Sequence, residues 1–297
     1  MNSFEIFVDS AANLTDELIE KYNIGVVSYT CSIDGKEMEC YEKGVDYNQT
    51  AKTFYEAMEQ GAETKTTLVN ADKIIDAVTP VLKEGKDILF FTISSKLSGT
   101  FNQANEAKRR LQETFPDRKF LVADSYNASM GEGLLAVYAG QHRDKGESIE
   151  DVAKWVEDNK LYLNSFATVA NLKYLKKGGR IGMATAIVGN ILNIKPVLWG
   201  SEEGVLDVLC NERGRKKALT KMADCFKNRV VDPENQIVAI THANCLDDAQ
   251  TLAEMVKSAG AKEVVLNMYD LCTGAHIGPG TIALFFLGKK RISKKDV

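Results

Sequence analysis

The run ILFFTISSKLSGTFNQA at 88–104 constrains the fold of this 297-residue chain more than any other stretch. Positions 88–93 are apolar, mostly β-branched or aromatic, which suits a strand buried on both faces of a parallel sheet. Ser94, Ser95, Ser98, Gly99 and Thr100 follow at once, and helical periodicity then runs over 101–113. A strand that passes through small residues into a helix leaves free N–H groups and the positive end of the helix dipole aimed at one spot. The hydroxyls add donors there. The same residues also suit a plain helix cap at Ser98. Residue types alone leave the anion site and the cap both open.

The unit recurs along the first half. Positions 4–8 form an apolar strand that ends at Asp9 and Ser10, and Thr15 caps a helix with acidic residues in its first turn. Positions 24–33 read as one strand ending in the turn Asp34-Gly35. A helix over 47–60 stops at Gly61, a polar loop occupies 63–67, and a helix over 70–83 holds Pro80. Proline removes a donor and crowds the preceding turn, so that helix is expected to kink or split near Thr79. A strand at 120–123 runs into Asp124 and Ser125. Strands alternating with helices of this length predict a parallel sheet covered by helices. Such sheets bind ligands at the carboxyl ends of their strands. Asp9, Ser10, Ser94, Ser95, Asp124 and Ser125 all fall there.

Helices at 129–143 and 149–160 close this region, and the chain divides near Lys160. The expected architecture is two α/β domains. Residues 1–160 make an α/β/α parallel-sheet domain carrying an anion site, and residues 161–297 a two-layer α/β domain with a mixed sheet. In the second half, a strand at 166–170 precedes the basic run KKGGR at 176–180. MATAIVGNIL at 183–192 reads as a nearly uncharged helix, which has to be buried or to line something apolar. A hairpin spans 195–199 and 205–210, and a helix over 214–227 is basic at its start. Strands at 237–241 and 263–268 flank a helix at 246–258. The sequence TGAHIGPG sets His276 in a glycine-rich loop before a last strand at 282–287.

Whole classes of function are excluded by what the chain lacks. A net charge of −4 argues against a nucleic-acid partner. MNSFEIFVDS has no secretion-signal pattern, and no apolar run is long enough for a membrane span. Six scattered cysteines without CxxC pairs read as free thiols of a cytoplasmic protein. No GxGxxG after a strand, GxxxxGK[ST], HExxH or GxSxG occurs, so no nucleotide cofactor or metal is expected. Three histidines are too few for a His-rich metal site. His276, held between glycines, is the one placed for ligand contact. A Ser95–His276–Asp124 hydrolase can be assembled on paper, but no nucleophile elbow supports it.

Taken together, several stretches resemble the DegV family of bacterial fatty-acid-binding proteins. They are VDSAANL at 8–14, KTT at 65–67, ISSKLSGTFNQA at 93–104, VADSYNASMGEGLLA at 122–136, LKYLKKGGRIG at 172–182 and GAHIGPG at 274–280. The resemblance implies a non-catalytic carrier that binds a long-chain fatty acid between two domains. It also implies a partner, the ATP-binding subunit of a fatty acid kinase, and at most transient membrane contact. Thr66 falls on the family's carboxylate-binding threonine, Ser94 or Ser95 on its serine, and His276 on the histidine near the head group. Arg180 matches an arginine lining the cleft, and Arg213 a basic position implicated in docking the kinase. Thr67, Ser98 and Gly99 complete the expected head-group set. The family usually has serine, glutamine and proline after that threonine, where this chain has Thr67-Leu68-Val69. The competing readings are a catalytic protein using the same Ser/Thr/His cluster, as a hydrolase or a small-molecule kinase-like domain, and a lipid-sensing regulatory module.

Overall fold

A computed structural model describes residues 3–181 and 193–291. In chain order the strands are β1 (Phe4–Asp9), β2 (Ile24–Val27), β3 (Thr30–Ile33), β4 (Lys36–Glu39), β5 (Thr64–Thr67), β6 (Asp87–Thr92) and β7 (Phe120–Asp124). They continue as β8 (Leu163–Thr168), β9 (Ile194–Gly200), β10 (Leu206–Arg213), β11 (Ile237–His242), β12 (Glu263–Met268) and β13 (Ile282–Leu287). The helices are α1 (Asp16–Lys21), α2 (Asn48–Glu59), α3 (Ala71–Lys83), α4 (Thr100–Thr114), α5 (Met130–Asp144) and α6 (Ile149–Asn159). The remaining four are α7 (Lys173–Gly178), α8 (Arg215–Arg229), α9 (Leu246–Ser258) and α10 (Leu271–Ile277).

The first sheet is wholly parallel in the order β2-β1-β6-β7, and β6 is buried along its whole length. The α3 and α4 helices pack on one face and α5 and α6 on the other. This is the arrangement that the alternation of strands and helices predicts, with Asp9, Ser94 and Asp124 at neighbouring strand ends. The second sheet, β10-β9-β8-β13-β11-β12, is antiparallel except for the pair β11 and β12. Helices α8 and α9 cover its outer face around Phe166, Phe226 and Phe286. Between the two sheets lies α5, buried without a break from Met130 to Gly140 and in contact with strands of both. A helix apolar on all sides needs two such neighbours.

Three expectations change. Positions 24–33 are two strands, not one, because the backbone breaks at Ser28 and Tyr29. There Ser28 Oγ accepts from the N–H groups of Cys40 and Tyr41, and Tyr29 N donates to Ser10 Oγ at 2.9 Å. The expected polar loop at 63–67 is the strand β5, which joins β3 and β4 in a small antiparallel sheet. Pro80 does not split α3, which runs through it unbroken. The 183–192 segment lies outside the described residues. At the far end of the chain, the buried Arg291 guanidinium donates to the carbonyls of Lys160, Leu163, Tyr126 and Ser201, pinning elements of both sheets together.

Candidate ligand cavity between the sheets

Alternation along β5 decides which of its threonines can act. Thr66 faces inward and is hydrogen-bonded through Oγ1 to His276 Nε2 at 2.9 Å. Thr67, the next residue, is on the opposite face and exposed. His276 is not in a loop as expected. It lies in the last turn of α10, a helix capped by Asp270, whose side chain accepts from Thr273 N at 2.9 Å. The glycines around it matter as close-packing positions. A Cβ on Gly274 would lie 2.1 Å from the Tyr55 hydroxyl, and one on Gly178 would lie 2.7 Å from His276 Nδ1. Two helices, α7 and α10, are thereby pressed together around the imidazole.

Thr66, Ser98, Gly99, Arg180 and His276 line one cavity of about 160 Å³. Arg180 reaches it by donating from Nε to Leu97 O at 3.3 Å and from a terminal nitrogen to Gly178 O. Burial, and then the Arg180 charge, push the His276 pKa down to about 4, so the ring is neutral near pH 7. One fixed cation, a neutral imidazole and several hydroxyls therefore surround the space. Ser98 does not cap α4 from the cap position, which Gly99 occupies. Its hydroxyl joins those of Tyr29 and Thr100 in a triad with contacts of 2.6–3.1 Å. Tyr29 was not among the expected residues. Burial, followed by the nearby Asp9 and Cys272, holds its pKa well above the ordinary value, so it remains a hydroxyl donor. No motif marks it, because its place depends on the chain break beside it.

Ser94 and Ser95 lie outside this lining. Ser94 Oγ donates to Gly204 O at 2.7 Å, and Ser95 N donates to Asp124 Oδ1 at 3.1 Å. Among the described residues no hydrogen bond joins Ser95 to His276, so the paper hydrolase triad is not assembled. Arg213, the last residue of β10, is exposed and lines neither this cavity nor its neighbour.

A second cavity of about 50 Å³ adjoins the first, and the two share Leu97, Ala128, Leu175, Leu206, Thr273 and Ile277. Its further walls include Ala167, Val169, Leu198, Ala283 and Phe285 from the inner face of the second sheet. The two cavities lie side by side against a common wall, the first polar and singly cationic and the second apolar. Such a pair accommodates an amphiphile with an anionic head.

Two α/β sheets enclosing a half-polar cavity define the class: a two-sheet α/β protein with its candidate site between the layers. Comparison then identifies the family. The model of the family described as "Uncharacterised protein, DegV family" matches residues 3–289, and the chain belongs to the DegV family. A DegV domain-containing protein of Clostridium perfringens is 37% identical over 97% of this chain and 98% of its own length. Among solved structures, a fatty-acid-binding DegV family protein from Thermus thermophilus is similar with a TM-score of 0.85. The two are 26% identical over 97% of this chain and 100% of that one. A stearic-acid-binding protein from Eubacterium ventriosum matches with the same TM-score of 0.85 and 25% identity, over 96% of this chain and 98% of that one.

Proposed function

We propose that this protein is a fatty-acid carrier with no catalytic activity of its own. The long-chain acid lies across the two adjoining cavities, its carboxylate near Thr66, His276, Arg180 and the Ser98 hydroxyl triad. Its tail runs along the apolar space toward Leu198 and Phe285. The observation that carries this reading is a cationic, hydroxyl-rich cavity set directly beside an apolar one, with six residues in their common wall. About fifteen buried methylenes contribute roughly 12 kcal/mol at about 0.8 kcal/mol each, before ordering costs. The head site then has only to replace the solvation of the carboxylate. Binding of fatty acids by similar DegV proteins supports the same assignment. We divide the chain near Lys160, between α6 on the first sheet and β8 in the second. We also place the protein in the cytoplasm, where it presents the carboxylate to an ATP-binding kinase subunit that docks at Arg213.

Denaturing extraction of the purified protein followed by mass spectrometry is expected to release close to one equivalent of a single fatty acid. Thr66→Val is expected to weaken its retention about tenfold, the loss of one hydrogen bond to a charged group. An empty extract, with no uptake of added fatty acid, rejects the carrier. The kinase reading is tested separately with Arg213→Glu, which is expected to keep its lipid and to lose phosphorylation by a cognate kinase subunit. Unchanged phosphorylation rejects Arg213 as the docking residue, and turnover of ATP by the protein alone rejects the non-catalytic reading.

A further inference from the structure

The inner face of the second sheet departs from its apolar pattern at one strand position. Alternation along β8, β9 and β13 turns Ala167, Leu198, Ala283 and Phe285 toward the apolar cavity, and on β8 it turns Ser165 there as well. Ser165 pairs with Phe285 on β13, and Gly200 of β9 lies on its other side, where a Cβ would collide with Ser165 Oγ. The serine is 9% exposed, and its hydroxyl has no hydrogen-bond partner among the described residues. Both residues belong to a part of the wall that the head-group cavity does not share. A hydroxyl left unpaired in an apolar wall costs free energy that a ligand oxygen would recover.

The polar groups nearby do not supply the missing partner. Thr281 Oγ1 donates to Ile277 O at 3.0 Å, and Asn127 Nδ2 donates to Ser125 O at 3.4 Å. Beside Gly200 lies the buried guanidinium of Arg291, with Nη1 3.6 Å from the position a Gly200 Cβ would take. That nitrogen spends its hydrogens on Tyr126 O at 2.7 Å and Ser201 O at 2.9 Å, and Nε donates to Leu163 O at 2.8 Å. Burial lowers the Arg291 pKa to about 9, so the group is still a cation near pH 7. A positive charge in a dry interior favours an electron-rich oxygen over a methylene in the space next to it. The unused hydroxyl and the cation therefore bear on the same part of the cavity, and each favours an oxygen atom on the ligand.

We infer that Ser165 and Gly200 form a subsite for a hydroxyl group carried by the acyl chain, so that the ligand class is a hydroxy fatty acid. The ligand hydroxyl lies over Gly200, where no side chain stands in its way, and bonds to Ser165 Oγ. This subsite rests on the carrier reading and names its ligand more closely. It is tested by displacing a fluorescent fatty acid from the parent and from Ser165→Ala with stearate and with 2-, 10- and 12-hydroxystearate. Removing an unbonded hydroxyl is expected to leave the fold intact and the affinity for stearate equal or slightly higher. At least one of 10- and 12-hydroxystearate is expected to lose about tenfold in Ser165→Ala relative to stearate, the worth of one buried hydrogen bond. The hydroxyl of 2-hydroxystearate stays at the head group, so that acid is expected to follow stearate. The subsite is overturned if 10- and 12-hydroxystearate keep their affinities relative to stearate in the variant, or if 2-hydroxystearate alone is weakened. Failure of every acid to displace the probe rejects the carrier and the subsite with it. Displacement by stearate with no effect of Ser165→Ala on the hydroxy acids rejects the subsite alone.

Discussion

Replacing Ala128 with phenylalanine is expected to yield a folded protein that contains no long-chain fatty acid. Ala128 lies in the loop between β7 and α5 and borders both cavities. A ring there fills the junction that the tail has to pass. If about ten methylenes lie beyond that point, their exclusion forfeits roughly 8 kcal/mol, close to a million-fold in affinity. Accommodating the ring costs folding stability about 1–3 kcal/mol, as overpacking generally does. A short acid such as butyrate needs only the head-group cavity, so its affinity is expected to match that of the parent. Competition of butyrate against a fluorescent fatty acid in the parent, and direct titration in the variant, measures both effects. Stoichiometric long-chain lipid in the Ala128→Phe extract would show that the tail takes another route.

The contrast between Thr66 and Thr67 shows where sequence reading reaches and where it stops. Both hydroxyls were expected at the head group, and only strand alternation separates them. That alternation could not be applied while 63–67 was read as a loop. The residues TKTT are polar because β5 borders a small sheet at the protein surface, so the hydrophobic signal of a strand is missing. By contrast, β6 and the turn after it were legible, since a strand buried on both faces and a small-residue turn are local properties. The neighbouring strand ends were legible for the same reason. His276 was expected near the ligand and does line the cavity, but on a helix whose glycines read as a loop. Those glycines are there because Tyr55 and the neighbouring helix α7 approach too closely for a Cβ. Tyr29, Leu97 and Ala128 were not legible. Each reaches the cavity through a pairing of distant segments, which no local pattern encodes.

The acids buried behind α5 make stability depend on pH in a way that can be assigned to one residue. Glu132 is fully buried, and its carboxyl is pushed well above the ordinary value, first by burial and then by Asp9, Asp270 and Asp124. Burial also raises Asp9 to about 7 and Asp270 to about 6. A raised folded-state pKa gives stability that is complete below the unfolded value and is lost as pH rises toward the folded one. All three acids therefore lower stability as pH climbs from about 4.5. His276 opposes them, since its pKa of about 4 makes stability grow until its unfolded value near 6.5 is passed. Above pH 7 His276 and Asp270 are nearly through their windows, Asp9 finishes by about pH 8, and Glu132 continues. Between pH 7 and 8.5 the parent is expected to lose stability in urea unfolding more steeply than Glu132→Gln, by at most the slope of one proton, about 1.4 kcal/mol per pH unit. Glu132→Gln cannot ionise, so its slope in that window is expected to be shallower, with only the end of the Asp9 titration left. At pH 7 the substitution also removes the work of protonating a carboxyl with an ordinary value of 4.5, at most about 3 kcal/mol. The buried amide offsets part of that gain if its N–H groups find no acceptor. The slope is therefore the decisive quantity. A parent protein whose stability does not change from pH 7 to 8.5 would mean that Glu132 is already ionised in the fold.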